Sequence, residues 1–114
     1  MIFVFAEDAT LSIAADVDAV RRMCEPIDVE SGVFQFYDAD GRPLAPRFTR
    51  PNRQTKIIGV VWSVTQGDFT LEPAETGGYD NISVALLETA ALETTPFFAD
   101  LGAVRHYLTG RGAL

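Results

Sequence analysis

Hydrophobic and polar positions fall in short blocks whose period changes several times along the chain. Residues 2–6, Ile2-Phe3-Val4-Phe5-Ala6, are an unbroken β-branched and aromatic run that predicts a strand. Glu7-Asp8-Ala9 is short and polar enough to turn. Leu11 and Ile13 then alternate with Thr10 and Ser12, the period of a half-buried strand, so residues 2–14 are expected to form a hairpin. A single helix through residues 8–24 competes with this reading, because alanine is plentiful there. Asp16 suits an N-cap, and Val17, Val20, Met23 and Cys24 follow at helical spacing, with Asp18 and Arg22 placed for an i,i+4 pair. Pro26 stops this helix near Cys24 or Glu25, which leaves Met23 and Cys24 as core filler.

Residues 33–37, after Gly32, read as a strand, and Asp38-Ala39-Asp40-Gly41 as a hairpin turn in which Gly41 supplies a positive φ. Residues 43–48 are the expected return strand, and residues 49–56 a polar loop around Pro51-Asn52. Residues 56–64 predict a strand with Ile58, Val60, Trp62 and Val64 on one face. Gln66-Gly67-Asp68 turns the chain, and residues 69–72 continue the sheet. Gly77-Gly78 mark a loop, after which Asp80 or Asn81 caps a helix to about Thr94, with Ile82, Leu86, Leu87, Ala90 and Ala91 on its apolar side. Thr95-Pro96 reads as an N-cap and first helical position. The last helix then points Phe97, Leu101, Val104 and Leu108 inward and ends before Gly110. The pattern implies an α+β fold, an antiparallel sheet of hairpins with about three helices packed on one face or end. Phe34 and Phe36 facing inward would turn Tyr37 outward.

Length and composition narrow the class. A chain of 114 residues and 12.4 kDa suits a single domain, residues 1–114. A hydrophobic content of 47% with 22% charged residues excludes disorder of the whole chain. The lone Cys24 excludes an internal disulfide framework and any CxxC zinc site. No basic segment precedes the apolar run at residues 2–6, and the longest apolar stretch, residues 57–62, contains Gly59 and is too short to span a bilayer. With one free thiol, these features predict a cytoplasmic protein without a membrane partner. Asn81-Ile82-Ser83 matches a glycosylation sequon, which carries no weight without secretion.

Charge is divided unevenly. Residues 1–40 hold nine acids against two bases, and residues 57–104 hold seven acids and no base. Between them, Arg42, Arg47, Arg50, Arg53 and Lys56 form a block without an acid. A net charge of -7 repels nucleic acid at long range. The basic block has little aromatic interleaving beyond Phe48, and Pro43, Pro46 and Pro51 break it. It reads as a solvated or internally paired loop, or as a partner-binding one, rather than as a nucleic-acid surface.

Candidate catalytic groups find little company. His106 is the only histidine, so any Ser–His–Asp or Cys–His system must recruit it, and no GxSxG elbow is present. Asp38-Ala39-Asp40-Gly41 opens like a calcium loop, but Arg42 stands where a further Asp or Asn is needed. Glu25, Asp28, Glu30, Asp38 and Asp40 are close in sequence, yet short hairpins offer little room for a glycosidase cleft. Gly77-Gly78 lacks a GxGxxG or Walker context. No catalytic residue, metal site or cofactor is assigned.

Residues 25–44, from Glu25-Pro26-Ile27-Asp28 through Asp38-Ala39-Asp40-Gly41-Arg42-Pro43-Leu44, resemble a stretch of small immunity proteins from bacterial polymorphic-toxin and contact-dependent-inhibition systems. Residues 100–108, Asp100-Leu101-Gly102-Ala103-Val104-Arg105-His106-Tyr107-Leu108, are similar to their terminal helix. The resemblance covers about a third of the chain. It implies a cytoplasmic, cofactor-free, non-enzymatic protein that binds and neutralises a cognate toxin, often a nuclease or other nucleic-acid-directed enzyme, by occluding its cleft. An acidic patch of Asp28, Glu30, Asp38 and Asp40, with Tyr37 as an aromatic anchor, is the expected contact, since acidic surfaces imitate phosphates. The basic loop with Arg47, Arg50 and Arg53 is the second candidate. A domain that binds a partner other than a toxin, as an adaptor, is the alternative. A small enzyme built on His106 is a third reading. Oligomeric state is left open.

Overall fold

A computed structural model describes residues 1–57, 59–74 and 81–114. The elements run β1 (Ile2–Ala6), β2 (Thr10–Ala14), α1 (Val17–Met23), α2 (Pro26–Glu30), β3 (Phe34–Tyr37), β4 (Pro43–Arg50), β5 (Arg53–Ile57), β6 (Val60–Thr65), β7 (Asp68–Pro73), α3 (Ile82–Leu87), β8 (Ala91–Leu92) and α4 (Leu101–Gly110). Six strands form one sheet in the order β7-β4-β3-β1-β2-β8, antiparallel except for the β2–β8 pair. β5 and β6 form a separate two-stranded sheet. The fold is α+β, with a mostly antiparallel sheet.

The apolar run at residues 2–6 becomes a central strand because both of its faces are covered. Ile2 and Val4 join Ala14, Phe36 and Phe69 beneath Val20 and Cys24 at the end of α1 and Val29 of α2. Phe3 and Phe5 join Leu11, Ile13 and Tyr37 against Ile82, Ala85 and Leu86 of α3 and Val104 and Leu108 of α4. Among the described residues there are four helices, compatible with the about three expected, and they divide between the two faces of the sheet rather than packing on one face or end. This arrangement also settles Tyr37. It does point opposite Phe36, but toward a second core, and it is 0% exposed with its ring edge-on to Phe5 at 5.6 Å. Tyr37 is therefore not a surface anchor.

Local chemistry explains most boundaries. Asp16, Asn81 and Asp100 each cap a helix by accepting from the amide three residues on, Ala19, Val84 and Ala103. The expected Asp18–Arg22 pair is instead Asp18–Arg21, at 2.6 Å, because Arg21 also donates from Nε to Phe69 O at 2.7 Å on the outer edge of β7. Pro26 ends α1 and also starts α2 as its first residue, the position where its missing N–H costs nothing. Met23 is exposed, whereas Cys24 is core. The helix expected to reach Thr94 stops at Leu87. Thr89 Oγ1 donates back to Ala85 O, and Ala90 N donates to Ala9 O at 2.7 Å, so the chain leaves the helix to extend the sheet beside β2. Ala9 presents that carbonyl from a left-handed φ of +67°. The last helix starts at Leu101, not after Thr95. Phe97 is exposed and Phe98 takes the inward place, 6.1 Å from the Phe3 ring. The helix also runs through Gly110.

Residues 43–73 form one long hairpin with an interruption. β4 pairs with β7 from Leu44↔Pro73 to Arg50↔Asp68, and β5 continues against β6 from Arg53↔Thr65. Residues 53–56, expected as part of a loop over 49–56, are thus strand, and the single strand expected at 56–64 is split by a turn at Gly59, φ +74°. Ile58, Gly77-Gly78 and the side chains of Val60, Trp62 and Val64 lie outside the described residues. β4 leaves β3 after Leu44 for a chemical reason. Asp38 N donates to Arg42 O, so by antiparallel alternation Phe36↔Leu44 and then Phe34↔Pro46 would be the next hydrogen-bonded pairs, and Pro46 has no N–H. The β3–β4 ladder therefore ends there, and β4 continues paired with β7 alone. The described structure is elongated, with dimensions of 53 × 25 × 24 Å and a radius of gyration of 15.3 Å. A globule of this length would have a radius of gyration of about 13 Å.

Candidate functional site

The acidic residues expected to form one patch are held apart. Asp28 and Glu30 lie on α2, immediately before β3, and Asp38 and Asp40 lie in the turn immediately after it. Four strand residues separate the two pairs by about 13 Å along β3. They also belong to opposite faces, since α2 packs with α1 while the turn is fastened to α4. Tyr107 donates from its hydroxyl to Ala39 O at 3.0 Å and accepts from Arg111 Nε at 3.1 Å, and Arg111 Nη1 reaches Asp40 at 3.5 Å. The hydrogen bond to Tyr107, with the charges of Tyr107 and Asp40 adding to it, holds the Arg111 guanidinium above its ordinary pKa. Gly41, at φ +82°, fits because any Cβ there would meet Ala113 Cβ at 2.7 Å. Asp38 is occupied locally, its Oδ1 accepting from Asp40 N and Arg42 N. The turn carboxylates hold the turn and its helix together, which corrects their expected union with Asp28 and Glu30.

The basic residues are better placed. Arg47 and Arg50 are exposed on β4 and Arg53 is exposed at the start of β5, spread along the ribbon. Arg47 has one long contact, 3.9 Å to Glu72 across the β4–β7 pair. Among the described residues, Arg50 and Arg53 have no carboxylate within ion-pair distance. Such an array is a field of fixed positive charge on a chain that is otherwise acidic.

The root of the arm is held by residues that carry no obvious signal in sequence. Asn52 Oδ1 accepts from Gly67 N at 2.7 Å, which ties the two strands where the ladder is interrupted. Its Nδ2 donates to Pro26 O at 3.1 Å and to Glu30 Oε2 at 3.3 Å, which ties the root to α2. Gln66 Oε1 accepts from Ile27 N at 3.3 Å, a second tether to the same helix. Gly67 is required by contact: a Cβ there would lie 1.9 Å from Arg50 O. Pro51-Asn52 and Gln66-Gly67 were legible as turn chemistry, but their facing each other across a hairpin was not. Glu30 consequently belongs to the arm's root, beside the basic residues.

The catalytic candidates do not meet. Cys24 is buried on the α1–α2 face, and His106 is exposed on α4, which packs on the opposite face. Burial, and then the charge of Asp28, push the Cys24 thiol from 9.0 up to about 11, so it is a neutral core group at pH 7. Among the described residues, no three His, Cys, Asp or Glu side chains cluster so as to hold a metal ion. No helix among them is long and apolar enough to cross a membrane. Comparison with protein-family models, with curated proteins and with solved structures gave no match to this chain.

Proposed function

We propose that this chain is an immunity protein that neutralises a cognate toxin domain by binding it, and that the ribbon of residues 43–73 carries the contact. The similarity of residues 25–44 and 100–108 to such proteins supports the class. The observation that supports the placement is the row of exposed arginines, Arg47, Arg50 and Arg53, on a ribbon that leaves the sheet. Projection gives the arm reach, and uncompensated charge speeds encounter with an acidic surface and fixes register on it. The toxin face it meets is therefore acidic. The arm is favoured over phosphate imitation by Asp28, Glu30, Asp38 and Asp40, because those carboxylates fall into two pairs on either side of β3. A nuclease among the possible toxins would be inhibited by steric cover of its cleft.

The test is co-expression in a sensitive bacterium of the product of the adjacent upstream gene, with and without this chain. Restored viability, together with a stable complex of the two proteins on size exclusion, is the expected result. Toxicity that persists at full expression of the folded chain would reject immunity for this pair. A complex with a non-toxic partner would replace it with the adaptor reading.

A further inference from the structure

The arm's outer edges bear on what kind of partner it takes. β5 pairs only with β6, and β6 only with β5, among the described residues, so each strand carries an unpaired outer edge. A two-stranded hairpin is marginal by itself and gains most from a third strand. Open edges are usually blunted, and here the two outermost strands of the main sheet are. Arg21 caps Phe69 O on β7, and β8 at the other side is only two residues long. Among the described residues, no strand of the main sheet pairs with the edge of β5.

Charge distinguishes the two edges. Arg50 and Arg53 stand at the entry to β5, whereas residues 60–65 of β6 carry no base and Asp68 and Glu72 lie further along that side on β7. We infer that the β5 edge takes an extended, acidic strand of the partner protein, added to the arm as a third strand and guided by Arg50 and Arg53. Backbone pairing supplies the affinity and the arginines supply the choice of an acidic sequence. The five-residue edge Arg53–Ile57 spans about 17 Å, enough for two or three carboxylates on alternate positions of the added strand. This inference rests on the arm being the docking element, as proposed above, but not on the partner being a toxin.

The probe is an acidic peptide of alternating glutamate and valine, with a lysine–valine peptide of the same length and an alternately N-methylated acidic peptide as controls. The readout is amide exchange of residues 53–57 in the full chain. Protection by the acidic peptide alone, weakened about tenfold or more in apparent affinity by Arg50→Glu with Arg53→Glu at low salt, is expected. Equal protection by the N-methylated peptide would reduce the contact to charge and overturn strand addition. Absence of protection by the acidic peptide would overturn the inference outright. Rescue of viability without peptide protection would leave immunity standing and remove the strand. Protection without rescue would keep the strand and remove immunity.

Discussion

Replacing Asn52 with alanine removes the bracket between the arm's root and α2. The side chain holds Gly67 N at 2.7 Å, Pro26 O at 3.1 Å and Glu30 Oε2 at 3.3 Å. The first two partners are backbone groups at a part-buried position. Leaving each unpaired costs about 1 kcal/mol, while the bond to the exposed Glu30 adds a few tenths. The expected loss is about 2–3 kcal/mol, a large share of the roughly 5–15 kcal/mol that stabilises a typical domain. Asn52→Asp separates geometry from charge. It keeps an acceptor for Gly67 N, loses both donors and sets a second carboxylate beside Glu30. It is expected to be at least as damaging as alanine at neutral pH and to recover toward about pH 4, where carboxylates protonate. Urea unfolding followed by circular dichroism measures the global term, and amide exchange at Gly67 the local one. An Asn52→Ala protein within about 0.5 kcal/mol of the parent, with unchanged exchange at Gly67, would refute the bracket.

Three further outcomes follow from the two-faced core and its entry turns. Tyr37→Ala should cost about 3–5 kcal/mol in denaturant unfolding, the cost of emptying a core site, with binding of the proposed toxin partner lost only through unfolding. For Cys24, the thiol is neutral in folded and unfolded chains below pH 9, so it contributes nothing there. Above 9.0 the unfolded thiol ionises first, and stability falls by about 2–3 kcal/mol before levelling off above about 11. Comparing unfolding free energies at about pH 8 and pH 11 with those of Cys24→Ala, which lacks this loss, checks the sign. Ala9→Gly should stabilise by about 0.5–1 kcal/mol in thermal unfolding, because Ala9 occupies a left-handed φ of +67° that glycine adopts without strain.

The local signals in this sequence carried the elements, and the long-range ones did not. Residues 2–14, the Asp16 cap and the turn at residues 38–41 are written in period, capping chemistry and glycine placement, and the fold follows each. Tyr37 shows the limit. Strand alternation gives its side correctly, but whether that side is solvent or a second core depends on α3 and α4, some 45 to 70 residues downstream. Helix α3 shows another. Ile82 through Ala91 keeps helical spacing, yet the bond of Ala90 to Ala9 O wins, and no local propensity encodes that partner. Nearness in sequence likewise united Asp28, Glu30, Asp38 and Asp40, while a single strand between them put the pairs at opposite ends. The arm's arginines were visible as a charge block from the start. Their exposure along a ribbon depends on Pro46 ending one ladder while β7 preserves the other.

The most direct measurement compares three forms of this chain in the viability assay against the proposed toxin: the parent, Arg50→Glu with Arg53→Glu, and Asp28→Asn with Asp40→Asn. All three must first show cooperative unfolding. Rescue by the parent and by the acidic-site variant, with rescue lost in the arginine variant, is the result expected if the arm docks the toxin. Full rescue by the arginine variant, or loss of rescue confined to the acidic-site variant, would contradict it.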